Sequence, residues 1–492
     1  MRRWALISAA LLAACCGGKG PAYEAAPAVE ITVTEVSYTT TGFLVKSIHT
    51  DAVYVLCTKA DASPPAAGTV RGEGIPVQDG AVVLDGLSPG TDYCAWAVGC
   101  LGEQYSKVEK ALFHTRMGTL PVFADLTLCT GGGRPNSNAW FSIPSGWDEA
   151  RFAPHVSYSD EDGEHWLFDA FLAITGIDPE GKTFCIPTNT AESADKASWE
   201  ALASYWLDPG GAFEALERQI AAVETRIGPP ARKRQVIMMI PDPVMFRRFS
   251  DKSSSTTYWG ALDGNQLDFS RIDDQILALK WYIDRCREKF NALAPAHLSF
   301  AGFYIISEEL VAEPSGWNYA YKRWDRILPK VSDYCHEADQ GLYWIPYRGA
   351  DGCSLWKELG IDQAWLQPNY YWNGTSAKAI SDACALMKTY GMGMELEFEY
   401  SMVAETMSIP GIMGPDEAGR YVFQAKDVPM LRARFREYMD GYKAAGLYGK
   451  SPLALYSGSN ALYQLGTSKD PDDLAMYREL CRFITQSPLK KK

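Results

Sequence analysis

The sequence predicts an α/β protein: a (β/α)8 TIM-like barrel preceded by a small all-β sandwich domain. Eight strand-like segments alternate with amphipathic helical segments from about residue 118 to the end of the chain. Short alternating strands separated by turn residues fill the region before it. One stretch, residues 391–400, alternates apolar with acidic side chains, which is typical of a barrel strand that carries a functional site.

The composition sets broad limits on the function. The 492 residues, 47% of them hydrophobic, are enough for two or more domains. Lys and Arg number 47 and Asp and Glu number 60, a net charge of −13, which argues against nucleic acid as a partner. The 15 Trp and 26 Tyr suit carbohydrate, because flat rings pack on sugar faces, although aromatic residues also fill cores. Outside the N-terminus no apolar run reaches 18 residues, so we expect no transmembrane helix.

The N-terminus reads as a processing signal. Arg2 and Arg3 precede a short apolar segment over residues 4–14, which ends in Leu-Ala-Ala followed by Cys15. This ending resembles a bacterial lipobox, in which Cys15 is the lipidated first residue of the mature protein; the alternative is an ordinary secretory signal. Residues 16–28 then form a tether of mostly small residues. We expect a lipid anchor in the outer membrane of the cell envelope, facing either the periplasm or the exterior.

Cysteine and histidine do not form a framework or a metal site in this sequence. The 12 Cys include no Cys-x-x-Cys, and the six His include no His-Glu-x-x-His. We therefore predict no metal and no cofactor. The first domain has three Cys and the second has seven, and these odd numbers predict at least one free thiol in each domain. Four of the Cys fall in helical patterns, where a buried thiol is the common state: Cys286, Cys335, Cys384 and Cys481.

The first domain, residues 29–117, shows the pattern of a β-sandwich. Five short alternating runs, at residues 31–36, 42–46, 52–56, 81–84 and 93–98, are separated by turn residues. The segment Leu87-Ser88-Pro89-Gly90-Thr91-Asp92-Tyr93 resembles the corner of fibronectin type III domains, with Tyr93 as the candidate tyrosine-corner residue. The resemblance implies a spacer module.

The second domain, residues 118–492, carries the predicted barrel. Its strands are expected at residues 121–130, 166–174, 235–240, 298–306, 342–347, 363–370, 391–400 and 453–456. Apolar stripes at helical spacing lie between most of them, for example at Ile272, Ile276, Leu279 and Ile283. A doubly wound open sheet is the alternative, but no Gly-x-Gly-x-x-Gly follows a strand. Residues 131–164 and 242–265 are expected to be long loops at strand ends.

The seventh strand, residues 391–400, divides its side chains between two faces. We expect Met392, Met394, Leu396 and Phe398 to face helices and Glu395, Glu397 and Glu399 to face the barrel interior. A solvated edge strand with acidic residues is the alternative.

Acidic residues also end the fourth strand, which leads into Ser307, Glu308 and Glu309. Two carboxylates on opposite strand ends fit glycoside hydrolysis, in which one protonates the leaving oxygen and the other attacks the anomeric carbon. We predict Glu308 as the acid/base and Glu397 as the nucleophile, with Glu399 next in line. A retaining enzyme needs the carboxyls roughly 5–5.5 Å apart, and an inverting enzyme roughly 6.5–9.5 Å.

Polar and aromatic residues near other strand ends are predicted to bind the substrate. Asp169 is either an acceptor for a sugar hydroxyl or a partner for a buried Arg. Asn beside Tyr and Trp can bond hydroxyls while a ring stacks on the sugar. The predicted substrate-binding residues are Asp169, Tyr304, Tyr347, Arg348, Asn369, Tyr371, Trp372, Glu395 and Glu399.

The acids on strands four and seven resemble glycoside hydrolase clan A, whose members are retaining (β/α)8 enzymes. That clan usually has Asn before its acid/base Glu, whereas Ser307 stands here. The second domain also resembles a family of uncharacterised lipoprotein domains from Gram-negative glycan-degrading bacteria. This resemblance implies fold and glycan context, and it rests on Trp166-Leu167-Phe168-Asp169, Gly302-Phe303-Tyr304 with Glu308, Pro368-Asn369-Tyr370-Tyr371 and Gly393-Met394-Glu395-Leu396-Glu397.

The sequence thus predicts a lipid-anchored, retaining glycoside hydrolase with a carbohydrate substrate and no nucleic-acid partner. One alternative is a glycan-binding lipoprotein that keeps the barrel without catalysis, which Ser307 favours. A second alternative is another hydrolase or a lyase on the same scaffold, with a metal or a different base in the barrel.

Overall fold

The structure, a computed structural model, describes residues 26–36, 40–88, 90–115, 122–133, 146–185, 192–245, 257–310, 323–373, 378–414, 422–458 and 460–490. They divide into two compact units: the first contains residues 26–36, 40–85 and 90–115, and the second contains residues 86–88 and the chain from residue 122. Within these ranges, no helix has both the length and the apolar character needed to cross a membrane. Cys15 and the rest of the proposed signal lie outside the described residues.

The first unit consists of short strands and one short helix. In chain order these are β1 (Ala28–Val36), β2 (Thr41–Ile48), β3 (Ala52–Lys59), α1 (Ala67–Glu73), β4 (Ile75–Pro76), β5 (Ala81–Leu84), β6 (Asp92–Leu101), β7 (Gln104–Tyr105) and β8 (Glu109–His114).

The strands of the first unit form two antiparallel sheets. One sheet has the order β1-β2-β5, and in the other β4-β3-β6 continues into β7 and β8, which both pair with β6. Between the sheets the ring of Phe113 stacks on Tyr93 at 5.6 Å and meets Phe43 edge-on at 5.4 Å. The predicted β-sandwich is confirmed, and Tyr93 lies in its core.

The second unit contains the remaining elements. They are β9 (Asp125–Thr130), α2 (Glu149–Val156), β10 (Ser157–Asp160), β11 (Gly163–Trp166), β12 (Ala170–Ile174), α3 (Lys196–Leu207), α4 (Ala212–Ile227), β13 (Arg234–Ile240), β14 (Tyr258–Leu262), β15 (Asn265–Asp268), α5 (Ile272–Leu293), β16 (Leu298–Ile305), α6 (Trp324–His336), β17 (Gly341–Trp344), β18 (Gln363–Leu366), α7 (Tyr370–Asn373), α8 (Lys378–Tyr390), β19 (Gly393–Glu397), α9 (Ala404–Met407), α10 (Val428–Ala444), β20 (Leu453–Tyr456), α11 (Ala461–Thr467) and α12 (Pro471–Thr485). Two 3-10 turns lie at Tyr400–Met402 and Ala425–Asp427.

Eight parallel strands close into a barrel in the order β9-β12-β13-β16-β17-β18-β19-β20. The ring is completed by β20 and β9, where Leu453 pairs with Asp125. Every predicted strand of this domain is present; six are shorter than predicted, β13 is one residue longer and β20 has the predicted bounds. The open doubly wound sheet is therefore wrong, and the architecture is consistent with a TIM-like barrel.

The barrel strands are buried on both faces, as parallel strands between helices are. All seven residues of β13 are buried, which explains its unbroken run Val-Ile-Met-Met-Ile. The five residues of β19 are buried as well, including its two acids. The solvated edge strand proposed as an alternative for this stretch is thus wrong.

Three regions depart from the predicted pattern of strands and helices. Residues 351–360 form turns, so helix does not connect β17 to β18 there. The expected long loop at 131–164 contains α2 and the β10–β11 hairpin. The expected loop at 242–265 contains β14, which pairs with β15. The first hairpin lies between α2 and β12 and the second between β13 and α5. Both are insertions in the connections between barrel strands and helices.

A bulge in β16 requires a glycine. The register with β13 shifts between Val236 and Ile237, and Gly302 takes a φ of 142°. A Cβ on Gly302 would lie 2.0 Å from the carbonyl oxygen of Gly341, so a larger residue would push β17 away. The bulge sets the direction of the strand end that carries Tyr304 and Glu308.

The ten cysteines among the described residues are free thiols. As predicted, each unit contains at least one. Cys286, Cys335, Cys384 and Cys481 are buried, which confirms their place on the inner faces of helices.

Candidate functional site

The acids of β19 face the barrel interior. Phe398 packs edge-on against Phe435 of α10 at 5.1 Å, so the apolar set faces the helices as predicted. Because side chains alternate along a strand, Glu395, Glu397 and Glu399 point to the opposite side. Their exposed fractions are 1%, 1% and 6%, so all three carboxyl groups are removed from bulk water.

Glu397 is held by donors that follow β18 and by α10. Its Oε2 accepts a hydrogen bond from the backbone N–H of Asn369 at 2.8 Å and one from the hydroxyl of Tyr438 at 2.7 Å. Both groups donate, which matches an ionised carboxylate, because that form only accepts. Asn369 has a φ of 54°, a left-handed conformation that Asn tolerates well, and this turn aims its N–H at Glu397.

The hydroxyl of Tyr438 has every hydrogen-bonding position in use. It accepts from the backbone N–H groups of Tyr370 and Tyr371, both at 2.9 Å, and it donates to Glu397. Two incoming donors leave its own proton directed at the carboxylate. Burial, followed by the charge of Glu397, raises the pKa of Tyr438 well above its ordinary value, so the hydroxyl keeps that proton. The hydroxyl of Tyr438 therefore holds the carboxyl group of Glu397 in position.

Glu399 lies beside the end of β20. Its Oε1 accepts from the hydroxyl of Tyr456 at 3.0 Å. Gly458 has a φ of 54°, and a Cβ there would come within 1.9 Å of Oε2 of Glu399. The glycine thus permits the close approach of this carboxylate to the chain after β20.

Glu308 is exposed at the end of β16. Its Oε1 accepts from the side-chain amide of Gln367 at 3.1 Å. The neighbouring Glu309 instead accepts a hydrogen bond from the hydroxyl of Tyr347. The side chain of Ser307 bonds the loop itself: its hydroxyl donates to the carbonyl of Glu309 at 3.1 Å. Glu308 is therefore the acid of this group that solvent and a ligand can reach.

One short segment after β18 contacts both predicted catalytic acids. Gln367 holds Glu308, and two residues later Asn369 holds Glu397. Two residues of extended chain span at most about 7 Å, so the two contacts originate close together. One segment of chain therefore supports both an acid that follows the fourth strand and an acid of the seventh.

Tyr304 lies among the acids. It is buried on β16, and burial raises its pKa well above the ordinary value, with the charges of Glu308 and Glu395 raising it further. Asp242, which follows β13, contributes to the same rise. Tyr304 is therefore a neutral hydroxyl between carboxylates at the C-terminal ends of the strands.

The aromatic residues predicted to bind substrate have different surroundings. Trp372 is half-buried and meets the ring of Tyr456 at 6.0 Å, beside Glu399. Tyr371 is fully buried, and its hydroxyl shares a hydrogen bond with Ser401 at 2.9 Å, so the expectation that it contacts substrate is corrected. The hydroxyl of Tyr347 is bonded to Glu309, and this bond, followed by burial, raises its pKa.

Arg348 extends toward α8 instead of toward the acids. Its guanidinium lies 3.8 Å from Asp382, and both side chains are partly exposed. The side chain of Asn369 is exposed as well, so the main contribution of that residue to the site is its backbone N–H.

Asp169 belongs to the opposite end of the barrel. It precedes the first residue of β12 and is paired with Arg234 at 2.9 Å and with Lys490 at 2.7 Å. Lys490 also lies 2.9 Å from Asp125. The prediction that Asp169 binds substrate beside Glu308 is corrected, and the alternative of a buried Arg partner is what the structure shows. The predicted strand began four residues too early, which misplaced Asp169.

Sequence reasoning missed three residues of the site. Tyr438 has helical spacing from Phe435 and so was identifiable as buried, but its contact with Glu397 depends on the packing of α10. Asp242 follows a buried strand between two prolines, and the rule that identified Glu308 also applies to it. Gln367 follows β18 directly. Within the described residues, no group of three or more His, Cys, Asp or Glu is arranged to hold a metal ion.

Comparisons with known proteins cover both units. The family described as Domain of unknown function (DUF4855) matches residues 138–410, more than half of the 492 residues. No curated protein matches the chain.

Among solved structures, the chain is similar to the fibronectin type III domain of human collagen alpha-1(XX), at 24% identity, 22% of this chain, 99% of that one and a TM-score of 0.17. A segment of two fibronectin type III domains from chicken tenascin is 16% identical over 19% of this chain and 51% of that one, with a TM-score of 0.16. The family match, which spans the barrel from α2 through β19, carries the assignment: this chain belongs to the DUF4855 family.

Proposed function

We propose that the C-terminal mouth of the barrel is the active site of a retaining glycoside hydrolase that acts on an oligo- or polysaccharide. The observation that carries the proposal is the segment after β18, where Gln367 bonds Glu308 and Asn369 bonds Glu397. Two carboxylates that are both hydrogen-bonded to one short segment of chain can act on the same glycosidic bond.

The surroundings of the two acids assign their roles. Glu308 is exposed, so it can protonate the leaving oxygen and later take a proton from water. Glu397 is buried with two donors on Oε2, which orient its carboxyl group. We assign the attack on the anomeric carbon to its Oε1. The attack forms a glycosyl ester as the bond to the leaving sugar breaks, and water then releases the sugar.

The remaining groups suit substrate binding. Tyr304 presents a neutral hydroxyl near Glu308 and Glu395, and Glu399 is oriented by Tyr456. Sugar hydroxyls can donate to the carboxylates, while the half-buried ring of Trp372 offers an apolar face next to them.

The test is the release of reducing ends from a panel of polysaccharides by the wild-type protein and by Glu308→Gln and Glu397→Gln. General acid and nucleophilic roles predict losses of about 10²–10⁴-fold or more in each variant with an unchanged melting temperature. Glu309→Gln is the matched control, because this carboxylate is adjacent and bonded to Tyr347. Wild-type rates in Glu308→Gln or Glu397→Gln would remove that residue from the mechanism.

A second candidate function is glycan binding without catalysis, which the environment of Ser307 favours. Its carbonyl accepts from the indole of Trp344 at 2.7 Å and its hydroxyl bonds the loop, so it does not supply the amide that clan A places there. Saturable binding of a polysaccharide by the wild-type protein, with no released product across the panel, would support this candidate instead.

We also propose that the protein is attached to the cell envelope through a lipid on Cys15, as the sequence before it suggests. Labelling of the expressed protein with a clickable palmitate analogue tests this. We expect incorporation in the wild-type protein and its loss in Cys15→Ala. Equal labelling of both would contradict the assignment.

A further inference from the structure

An open surface pocket lies among helices α3 and α5 and the β14–β15 hairpin, and none of the acids of the barrel mouth lines it. It has a volume of about 770 Å³ and lies between the N-terminal turn of α3, the hairpin strand β14 and the middle of α5. This volume falls within the roughly 300–1,000 Å³ of small-molecule sites. The side chains that matter here are Asp195, Lys196, Glu200, Tyr258, Trp281 and Arg285.

The aromatic part of the pocket combines an exposed ring with a rigid base. Tyr258 is 49% exposed. Trp281 is half-buried and packs edge-on against Trp259 at 5.4 Å, and Trp259 in turn stacks on Phe269 at 5.4 Å. These contacts, with the ammonium of Lys196 5.2 Å from the centre of the Trp281 ring, hold Trp281 in its orientation, so this ring loses little conformational freedom on binding.

The polar walls are held in place by their own pairs. Arg285 contacts Glu200 through two hydrogen bonds of 3.0 and 3.1 Å. Asp195 accepts from Lys182 at 3.0 Å, and Lys196 donates to the carbonyl of Ala261 at 2.7 Å. Carboxylate oxygens have further lone pairs, so these groups can still accept hydrogen bonds from hydroxyl groups.

The charges on these walls are already paired within the protein. Asp195 pairs with Lys182 and Glu200 with Arg285, and Lys196 donates to the carbonyl of Ala261, so the capacity that remains is for hydrogen bonds to a neutral ligand. Aromatic faces beside fixed planar acceptors and donors match a ligand with an apolar ring face and an edge of hydroxyl groups. A neutral sugar has both.

We propose that this pocket is a second saccharide-binding site that is specific for neutral sugars. The sugar rings stack on Tyr258 and Trp281, and their hydroxyl groups form hydrogen bonds with Glu200, Arg285 and Asp195. The site requires no hydrolysis at the barrel mouth. It would hold a glycan chain on the protein independently of the acids at the strand ends.

Hydrogen–deuterium exchange with mass spectrometry tests this on the full chain, because it reports the two sites separately. The probes are cellotetraose, xylotetraose, mannotetraose and maltotetraose, with tetragalacturonate as the charged comparison. We expect a neutral probe to protect residues 196–207 and 257–268. Tyr258→Ala should raise the probe concentration needed for half-saturation at least tenfold. The melting temperature should stay unchanged, because the ring of Tyr258 is half exposed. Tyr105→Ala, an exposed Tyr in the first unit, is the control and should bind as the wild-type protein does.

The outcomes separate this proposal from the hydrolase. Protection confined to residues 367–373 and 393–399 would support the barrel mouth and overturn the second site. Protection at 196–207 without product release would support the second site alone. The proposal is also overturned if no neutral probe protects this pocket, if Tyr258→Ala is protected like the wild-type protein, or if only tetragalacturonate protects it.

Discussion

The carboxylates at the two ends of the barrel have different kinds of partner. At the N-terminal end, the buried Asp125 and the partly buried Asp169 pair with two cations, Arg234 and Lys490. At the C-terminal end, Glu397, Glu399 and Glu308 accept hydrogen bonds from neutral hydroxyl and amide groups. The ion pairs at the N-terminal end support the barrel, whereas the hydrogen-bonded acids at the C-terminal end are available for chemistry. In TIM barrels the two ends divide these tasks in the same way.

The strongest test of this difference on stability is Asp169→Ala. The change leaves the buried guanidinium of Arg234 without its 2.9 Å partner, and breaking a buried pair costs about 3–5 kcal/mol. We expect a loss of this size in the free energy of unfolding measured with urea, and no loss of turnover in the protein that remains folded.

Asp382→Ala serves as the control for Asp169→Ala. It removes an exposed helical pair with Lys378, whose contribution is about 0.5 kcal/mol. If Asp169→Ala were as mild as Asp382→Ala, the cluster at the N-terminal end would not stabilise the barrel.

Tyr438→Phe tests the neutral support at the other end. It removes a donor from Glu397 and leaves the N–H groups of Tyr370 and Tyr371 without an acceptor, at about 1–3 kcal/mol of stability. We also expect turnover to fall about tenfold, because the carboxylate loses part of its orientation. The rate and the pH profile of product release check this, since a purely structural loss leaves the profile unchanged.

Tyr442→Phe, on the same helix, is the matched control for Tyr438→Phe. Its hydroxyl contacts Ser451 at 3.1 Å and has no part in the bonds to Glu397. An equal effect on turnover in both variants would contradict the positioning role.

Asp125→Asn tests the charge balance at the N-terminal end through pH. Burial, opposed by Lys490 and reinforced by Asp169, raises the pKa of Asp125 to about 6 from the 3.8 of a free Asp. The folded state therefore binds the proton more tightly, and the stability contributed by this group rises as pH falls from about 6 to about 4. We expect the variant to lack this rise in urea titrations at pH 6.5 and 4.5. An identical pH dependence in both proteins would contradict the assignment.

Arg348→Ala should have the smallest effect. The guanidinium is exposed and 3.8 Å from Asp382, so we expect at most about 0.5 kcal/mol in unfolding and no change in turnover. A large fall in turnover would place Arg348 in the site after all.

The sequence was sufficient for the barrel and for the face that carries the acids. Alternation along residues 391–400 predicts the side on which Glu395, Glu397 and Glu399 lie, because a strand has a period of two. Long-range partners could not be predicted: Tyr438 and Glu397 are 41 positions apart in the sequence and meet only through the packing of α10. Strand boundaries were the other difficulty, since starting β12 at residue 166 assigned Asp169 to the wrong end. Burial of Tyr371 depends on contacts with Ser401 that no local pattern encodes.

The central claim is that Glu308 and Glu397 act together on one sugar, with Glu397 as the nucleophile. Its most direct test is trapping of the glycosyl-enzyme with 2-deoxy-2-fluoro glycosides and location of the label by tandem mass spectrometry. We expect a stoichiometric label on Glu397 in the wild-type protein and none in Glu397→Gln. A label on Glu395, on Glu399 or on any residue outside β19 would contradict it.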